Sequence, residues 1–112
     1  RLAVRDGAPA GPARPGNPSV TAAAVRPDGT AGLRLVWAPG PGRVRHHLVR
    51  QCLPGGGFRF LGGTCGHAYY VPELRRTAGE AVTRVEVRAV DELYASSAPA
   101  VVPFRWPTPT SR

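Results

Sequence analysis

Val82-Thr83-Arg84-Val85-Glu86-Val87-Arg88-Ala89-Val90, closed by Asp91, decides the fold of this chain. Val85, Val87 and Ala89 fall on one side of an extended backbone, and Arg84, Glu86 and Arg88 fall on the other. A period of two with one apolar and one charged face predicts a strand half-buried in an antiparallel sheet, its outer face wet.

Working outward, six further runs have strand length and strand composition. Ser19–Val25 places Val20 and Val25 around small residues. In Ala31–Trp37, the residues Leu33, Leu35, Val36 and Trp37 divide between two faces. Arg43–Gln51 spaces arginines among apolar residues. Gly57–Gly62 carries Phe58, Phe60 and Leu61, and His67–Val71 carries Tyr69 and Tyr70. Ser97–Trp106 holds Val101, Val102, Phe104 and Trp106. Pro27-Asp28-Gly29, Pro39-Gly40-Pro41-Gly42 and Pro54-Gly55-Gly56-Gly57 are turns by their chemistry. Short strands with turn signals at such intervals predict an all-β, antiparallel seven-stranded sandwich of the immunoglobulin-like class. Glu73–Gly79 has the makings of one helical turn.

The rest of the chain is organised around that unit. Residues 1–17 read as a Pro/Gly-rich linker, 18–106 as the sandwich, and 107–112 as a disordered tail. At 112 residues, one domain is the expectation. Gly and Pro, 14 and 13 residues, act as punctuation that leaves a long helix no room. The beginning of the chain, without methionine or a secretory apolar stretch, reads as a piece of a larger protein. Its compartment, secreted or cytoplasmic, would then be set by the part upstream. No apolar run is long enough to span a membrane.

The formal net charge is +8, and every basic side chain is arginine. The arginines are spread along the chain without a dense run. A field of this sign favours acidic partners in a general way. A nucleic-acid surface would be expected to recruit lysine as well, so no specific nucleic-acid partner is expected. Cys52 and Cys65 are too few for a disulfide scaffold or a thiolate zinc site. They are candidates for one bridge, which in the chain-entropy picture would contribute about 3 kcal/mol. Two unbridged thiols packed as small hydrophobes fit equally well.

With the strands placed, a family resemblance emerges. Leu35-Val36-Trp37-Ala38-Pro39 resembles the second strand of fibronectin type III domains, where a buried Trp is followed by proline. Val85–Asp91 resembles their sixth strand, Leu74 the leucine that precedes it, and Ser96-Ser97 with Ala98-Pro99-Ala100 the approach to the last strand. The family's corner tyrosine is missing, its slot held by Thr83, and the loop after Leu74 is longer. A narrower resemblance runs through Phe60-Leu61-Gly62-Gly63-Thr64, then His67-Ala68-Tyr69-Tyr70-Val71-Pro72-Glu73-Leu74, then Val85–Asp91, with Val101–Trp106 closing the chain. In that order these segments are similar to the C-terminal sandwich of endo-β-N-acetylglucosaminidases of glycoside hydrolase family 85. The resemblance implies a catalytic barrel upstream that cleaves the chitobiose core of N-linked glycans. That barrel is not in this chain, so no catalytic residue carries over to it.

Testing the residues for chemistry gives the same expectation. Glycoside hydrolysis needs two placed acids, or one acid and a positioned substrate amide. Asp6, Asp28 and Glu80 sit in linker or turns, Glu86 is expected to face water, and Asp91-Glu92 reads as a solvated turn. His46 and His47, being neighbours on a strand, point apart, one of them toward the core edge. With His67 they show no metal-ligand spacing. No cofactor is expected, and none of the serines or cysteines has a base partner. What remains are aromatic residues as candidate ligand or domain contacts: Tyr70, Tyr94 and Phe58. The expected role is a non-catalytic accessory domain packed on the catalytic domain of its own polypeptide. The alternatives are a fibronectin type III spacer or adhesion module of a secreted protein, and a carbohydrate-binding module with glycan as its partner.

Overall fold

The structure, a computed structural model, describes residues 12–40 and 42–107. The alternating stretch at its centre is a strand, and six others surround it. In chain order they are β1 (Gly16–Val25), β2 (Thr30–Ala38), β3 (His46–Cys52), β4 (Phe58–Thr64), β5 (Ala68–Arg75), β6 (Val82–Val90) and β7 (Ala100–Arg105). They form a three-stranded sheet, β1-β2-β5, and a four-stranded sheet, β4-β3-β6-β7, with every pairing antiparallel. This is the predicted sandwich.

The core follows from the period of two. Leu33, Leu35 and Trp37 of β2 and Val71 and Leu74 of β5 point inward from one sheet. Val49 of β3, Val85 and Val87 of β6, and Val102 and Phe104 of β7 meet them from the other. Each such side chain removed from water contributes about 1.5–3 kcal/mol before the entropy of ordering the chain is counted. His47 is the histidine that enters the core. Its ring meets Trp37 edge-on with centroids 5.1 Å apart.

Two prolines hide strand from a reading of sequence. The segment expected to be linker is already β1 from Gly16, which faces Ala38 across the ladder. The segment expected to turn helically at Glu73–Gly79 is instead strand through Arg75, with Leu74 fully buried and a turn only at Ala78 and Gly79. Pro18 and Pro72 lie in β1 and β5, the two edges of the three-stranded sheet, where a missing N–H leaves no ladder bond unmade. Residues 1–11 of the expected linker and 108–112 of the expected tail lie outside the described residues.

Side-chain bonds join the two sheets at one place, and another closes the four-stranded sheet on itself. Where β4 approaches β5, the fully buried Gln51 donates from Nε2 to the Arg75 carbonyl and accepts at Oε1 from the Arg75 N–H and from Arg59. Arg59 also donates to the Glu73 carbonyl at 2.8 Å, and the Tyr69 hydroxyl donates to the Leu61 carbonyl at 2.9 Å. The Tyr69 hydroxyl lies against Gly62, whose φ of 152° belongs to glycine's range, so a side chain there would meet both the ring and the backbone's preference. At the slot of the missing corner tyrosine, the Trp106 indole N–H donates to Thr83 Oγ1 at 2.7 Å. An aromatic from beyond the last strand thus takes over the closing hydrogen bond.

Candidate functional site

The described carboxylates are all committed. Asp28 Oδ1 accepts from the Thr30 hydroxyl and N–H, which hold its carboxyl below the usual carboxylate range. Glu80 accepts from the Thr77 N–H, and Asp91 accepts from the N–H groups of Leu93 and Ala95. Glu73 pairs with Arg75, and Glu92 with Arg43. Among the described residues no three His, Cys, Asp or Glu side chains gather as metal ligands, and no helix is long and apolar enough to cross a membrane.

Glu86 departs from expectation. It points outward from β6, yet its residue is only 9% exposed. Cross-strand register explains this: Arg50 of β3 lies opposite it, and Arg88 is two residues along the same face. The Arg50 Nε donates to Glu86 Oε1 at 3.0 Å, and the Arg88 guanidinium stands 3.7 Å from the same oxygen. The Arg50 guanidinium carbon also lies over the Phe58 ring, 3.5 Å from its centroid. The centre of the outer face of the four-stranded sheet is therefore an ion-paired cluster rather than a solvated carboxylate. One row crosses all four strands as Phe60, Arg50, Glu86 and Val101. Its two ends are apolar, Phe60 at 66% and Val101 at 45% exposure, and its centre is an ion pair.

The three aromatic candidates lie on three different surfaces. Phe58 belongs to the face just described. Tyr70 is on β5, on the outside of the other sheet, its hydroxyl end over Gly32 and beside Arg26. Tyr94 is in the β6–β7 connection at one end of the sandwich, with the Arg45 guanidinium over its ring. Sequence reasoning did not single out Phe60 or Arg50 as contacts. The signal was there in Phe58 and Phe60, two residues apart and so necessarily on one face of a strand.

The cysteines do not bridge. Cys52 faces Phe58 at the turn end of the β3–β4 ladder, while His47 faces Thr64 at its other end, just before Cys65. Five residues of strand separate the two sites, about 16 Å at the usual rise. A disulfide needs Cα atoms within about 7 Å. Both thiols are free, and burial beside the Glu86 carboxylate pushes that of Cys52 up.

Comparison with known proteins agrees with this architecture. The family model described as "GH85 endohexosaminidases, C-terminal domain" matches residues 15–108. No curated protein matches the chain significantly. Among solved structures, the glycoside hydrolase domain of Endo-D from Streptococcus pneumoniae superposes with a TM-score of 0.78 at 20% identity. That match covers 86% of this chain and 15% of the Endo-D chain, so this sandwich spans a small part of its relative. A Fn3-like protein from Clostridium thermocellum gives a TM-score of 0.57 at 18% identity, covering 91% of this chain and 100% of its own. The fibronectin type III domain of human fibronectin type III domain containing protein 3 gives 0.60 at 23%, covering 89% and 90%. At these identities the structures carry the fold, a fibronectin type III-like sandwich, while the family model covers nearly every described residue. The chain belongs to the family of C-terminal domains of GH85 endohexosaminidases.

Proposed function

We propose that this sandwich is a non-catalytic accessory domain of a larger glycan-cleaving enzyme, and that it packs on the catalytic domain and stabilises it. The observation that carries the reading is the outer face of the four-stranded sheet. Phe58 and Phe60 present aromatic area on it at 47% and 66% exposure, and its one carboxylate is already neutralised by Arg50 and Arg88. The central charges of this face, Glu86 with Arg50 and Arg88, keep their partners when water leaves. Apolar area of this kind on a sheet suits a neighbouring protein surface. The commitment of every described carboxylate to a turn or an ion pair supports a role without chemistry of its own.

The test uses the whole enzyme and the domain alone. Phe58→Asp with Phe60→Asp is expected to lower the melting temperature of the isolated domain by a few degrees at most, since both rings are exposed and the main loss is the Phe58 stack on Arg50. In the whole enzyme the same pair is expected to lower the melting temperature of the catalytic domain to the value it has without this sandwich. A catalytic domain that melts identically with and without the sandwich would end the reading.

A further inference from the structure

The connection between β6 and β7 breaks a local rule. The Asp91 carbonyl accepts from the Tyr94 N–H at 3.0 Å, and the Ala95 carbonyl accepts from the Asp91 N–H at 3.1 Å. The Asp91 side chain clamps the turn from within through the Leu93 and Ala95 N–H groups, both at 2.9 Å. This geometry sets φ at Tyr94 to 64°, where glycine or asparagine sits easily and a tyrosine does not. Burial does not offset that strain, since Tyr94 is 68% exposed. Strain held at an exposed aromatic is a reason to look for what the aromatic meets.

Tyr94 meets a cleft. An open depression of about 630 Å³ lies beside it, lined also by Arg45, His46, Gly63, Thr64 and Cys65. Its size is that of small-ligand pockets. Arg45 covers Tyr94 with its guanidinium 5.3 Å from the ring centroid, and the ring's exposure leaves area for a second stack. Thr64 Oγ1 accepts from the Gly66 N–H, which leaves its own hydrogen to donate outward. No carboxylate is among the lining residues, and the nearby Glu92 is held by Arg43. The cleft therefore offers a guanidinium, an imidazole and a hydroxyl for an acceptor-rich, negatively charged group, and one flat aromatic wall for C–H groups.

We propose that this cleft binds a sugar acid, a pyranose whose C–H face stacks on Tyr94 and whose carboxylate accepts from Arg45. A sugar is favoured over an acidic peptide because the lining has one flat ring and no second apolar pocket for a side chain. The site lies at the end of the sandwich and is independent of the Phe58–Phe60 face.

The chain is titrated with 3′-sialyllactose and, in parallel, with lactose, with backbone amide signals followed by NMR. Sialyllactose is expected to shift Gly63, Thr64, Cys65, Tyr94 and Ala95 saturably, with an affinity on the order of millimolar. Lactose is expected to bind at least about tenfold more weakly, a difference of about 1.4 kcal/mol. Tyr94→Asn is the decisive variant. It is expected to raise the melting temperature by a few degrees, because asparagine accepts the turn's φ, and to abolish the sialyllactose shifts. Arg45→Gln is expected to reduce sialyllactose to the level of lactose. The proposal falls if sialyllactose gives no saturable shift, if lactose binds equally, or if an aspartate-rich tetrapeptide binds as well as the sugar. It falls too if Tyr94→Asn binds unchanged or lowers the melting temperature, for the ring would then serve the fold.

Discussion

The two sheets share one core but bring opposite chemistry to it. From the three-stranded sheet, the buried side chains are Ala31, Leu33, Leu35, Trp37, Val71 and Leu74, and the indole N–H of Trp37 is the one polar group they contain. The four-stranded sheet brings His47, Gln51 and Thr83 beside its valines, and buries Glu86 on its outer face. The difference separates two tasks. Apolar area is non-directional and drives the sheets together. Buried hydrogen-bonding groups are directional, and a pair such as Gln51 with Arg75 is satisfied in one register only, so it selects which arrangement is kept. Gln51, reading both backbone groups of Arg75, fixes β5 against β3. Thr83, accepting from Trp106, fixes the chain beyond β7 against β6.

The comparison breaks if the apolar sheet is not where the stability lies. Leu35→Ala, at a position with no exposure, is expected to cost about 2–5 kcal/mol, which would leave the domain close to unfolding. Urea denaturation followed by tryptophan fluorescence measures it. Gln51→Leu keeps most of the volume and is expected to cost less, about 1–3 kcal/mol, because the Arg75 backbone groups are left without a partner. It also has a signature that Leu35→Ala lacks: faster amide hydrogen exchange at Arg75, where the lost acceptor was. A Gln51→Leu protein as stable as the parent, with Arg75 still protected, would mean that the polar seam selects nothing.

What could be read from the sequence follows the same division. β6 was legible because Val85, Val87 and Ala89 alternate with charged residues within one short window, and Trp37 was legible because a tryptophan before proline on a strand has few places to go. Both are local facts, the second being Trp37 one residue ahead of the Ala38-Pro39 break. The start of β1 and the end of β5 were not legible, since Pro18 and Pro72 read as breaks until the strands are known to be edges. Glu86 read as solvated because its burial depends on Arg50, 36 residues away, arriving opposite it. The loss of the corner tyrosine at Thr83 was visible, but its replacement by the indole of Trp106 was not, for that pairing joins residues 23 apart across two strands. Phe58, Tyr70 and Tyr94 were offered as ligand or domain contacts, and the structure leaves all three rings exposed on different surfaces. Which of them share a surface was beyond reach, because that is a property of sheet order.

His47 sharpens the comparison at its smallest effect. It is the one buried polar side chain of the four-stranded sheet that contributes no hydrogen bond: neither ring nitrogen has a partner among the described residues. It sits between Trp37 and His67, with ring centroids 5.1 and 5.6 Å away. Burial first, and then the neighbouring His67, holds its pKa below the ordinary 6.5. The folded state therefore resists a proton that the unfolded chain accepts. As pH falls below about 6.5 the unfolded state binds more protons, so stability declines until the folded pKa is passed. Above that range the histidine is neutral in both states and the contribution is complete. His47→Phe, which keeps an aromatic edge against Trp37, is expected to remove this acid-side decline while changing the stability at pH 8 by less than about 1.5 kcal/mol. Melting temperatures of the two proteins measured from pH 8 to pH 5 should keep a constant offset at the alkaline end and change relative to each other below pH 6.5, with the parent falling faster. Parallel curves over the whole range would place the decline elsewhere and show that this sheet tolerates a charge in its core.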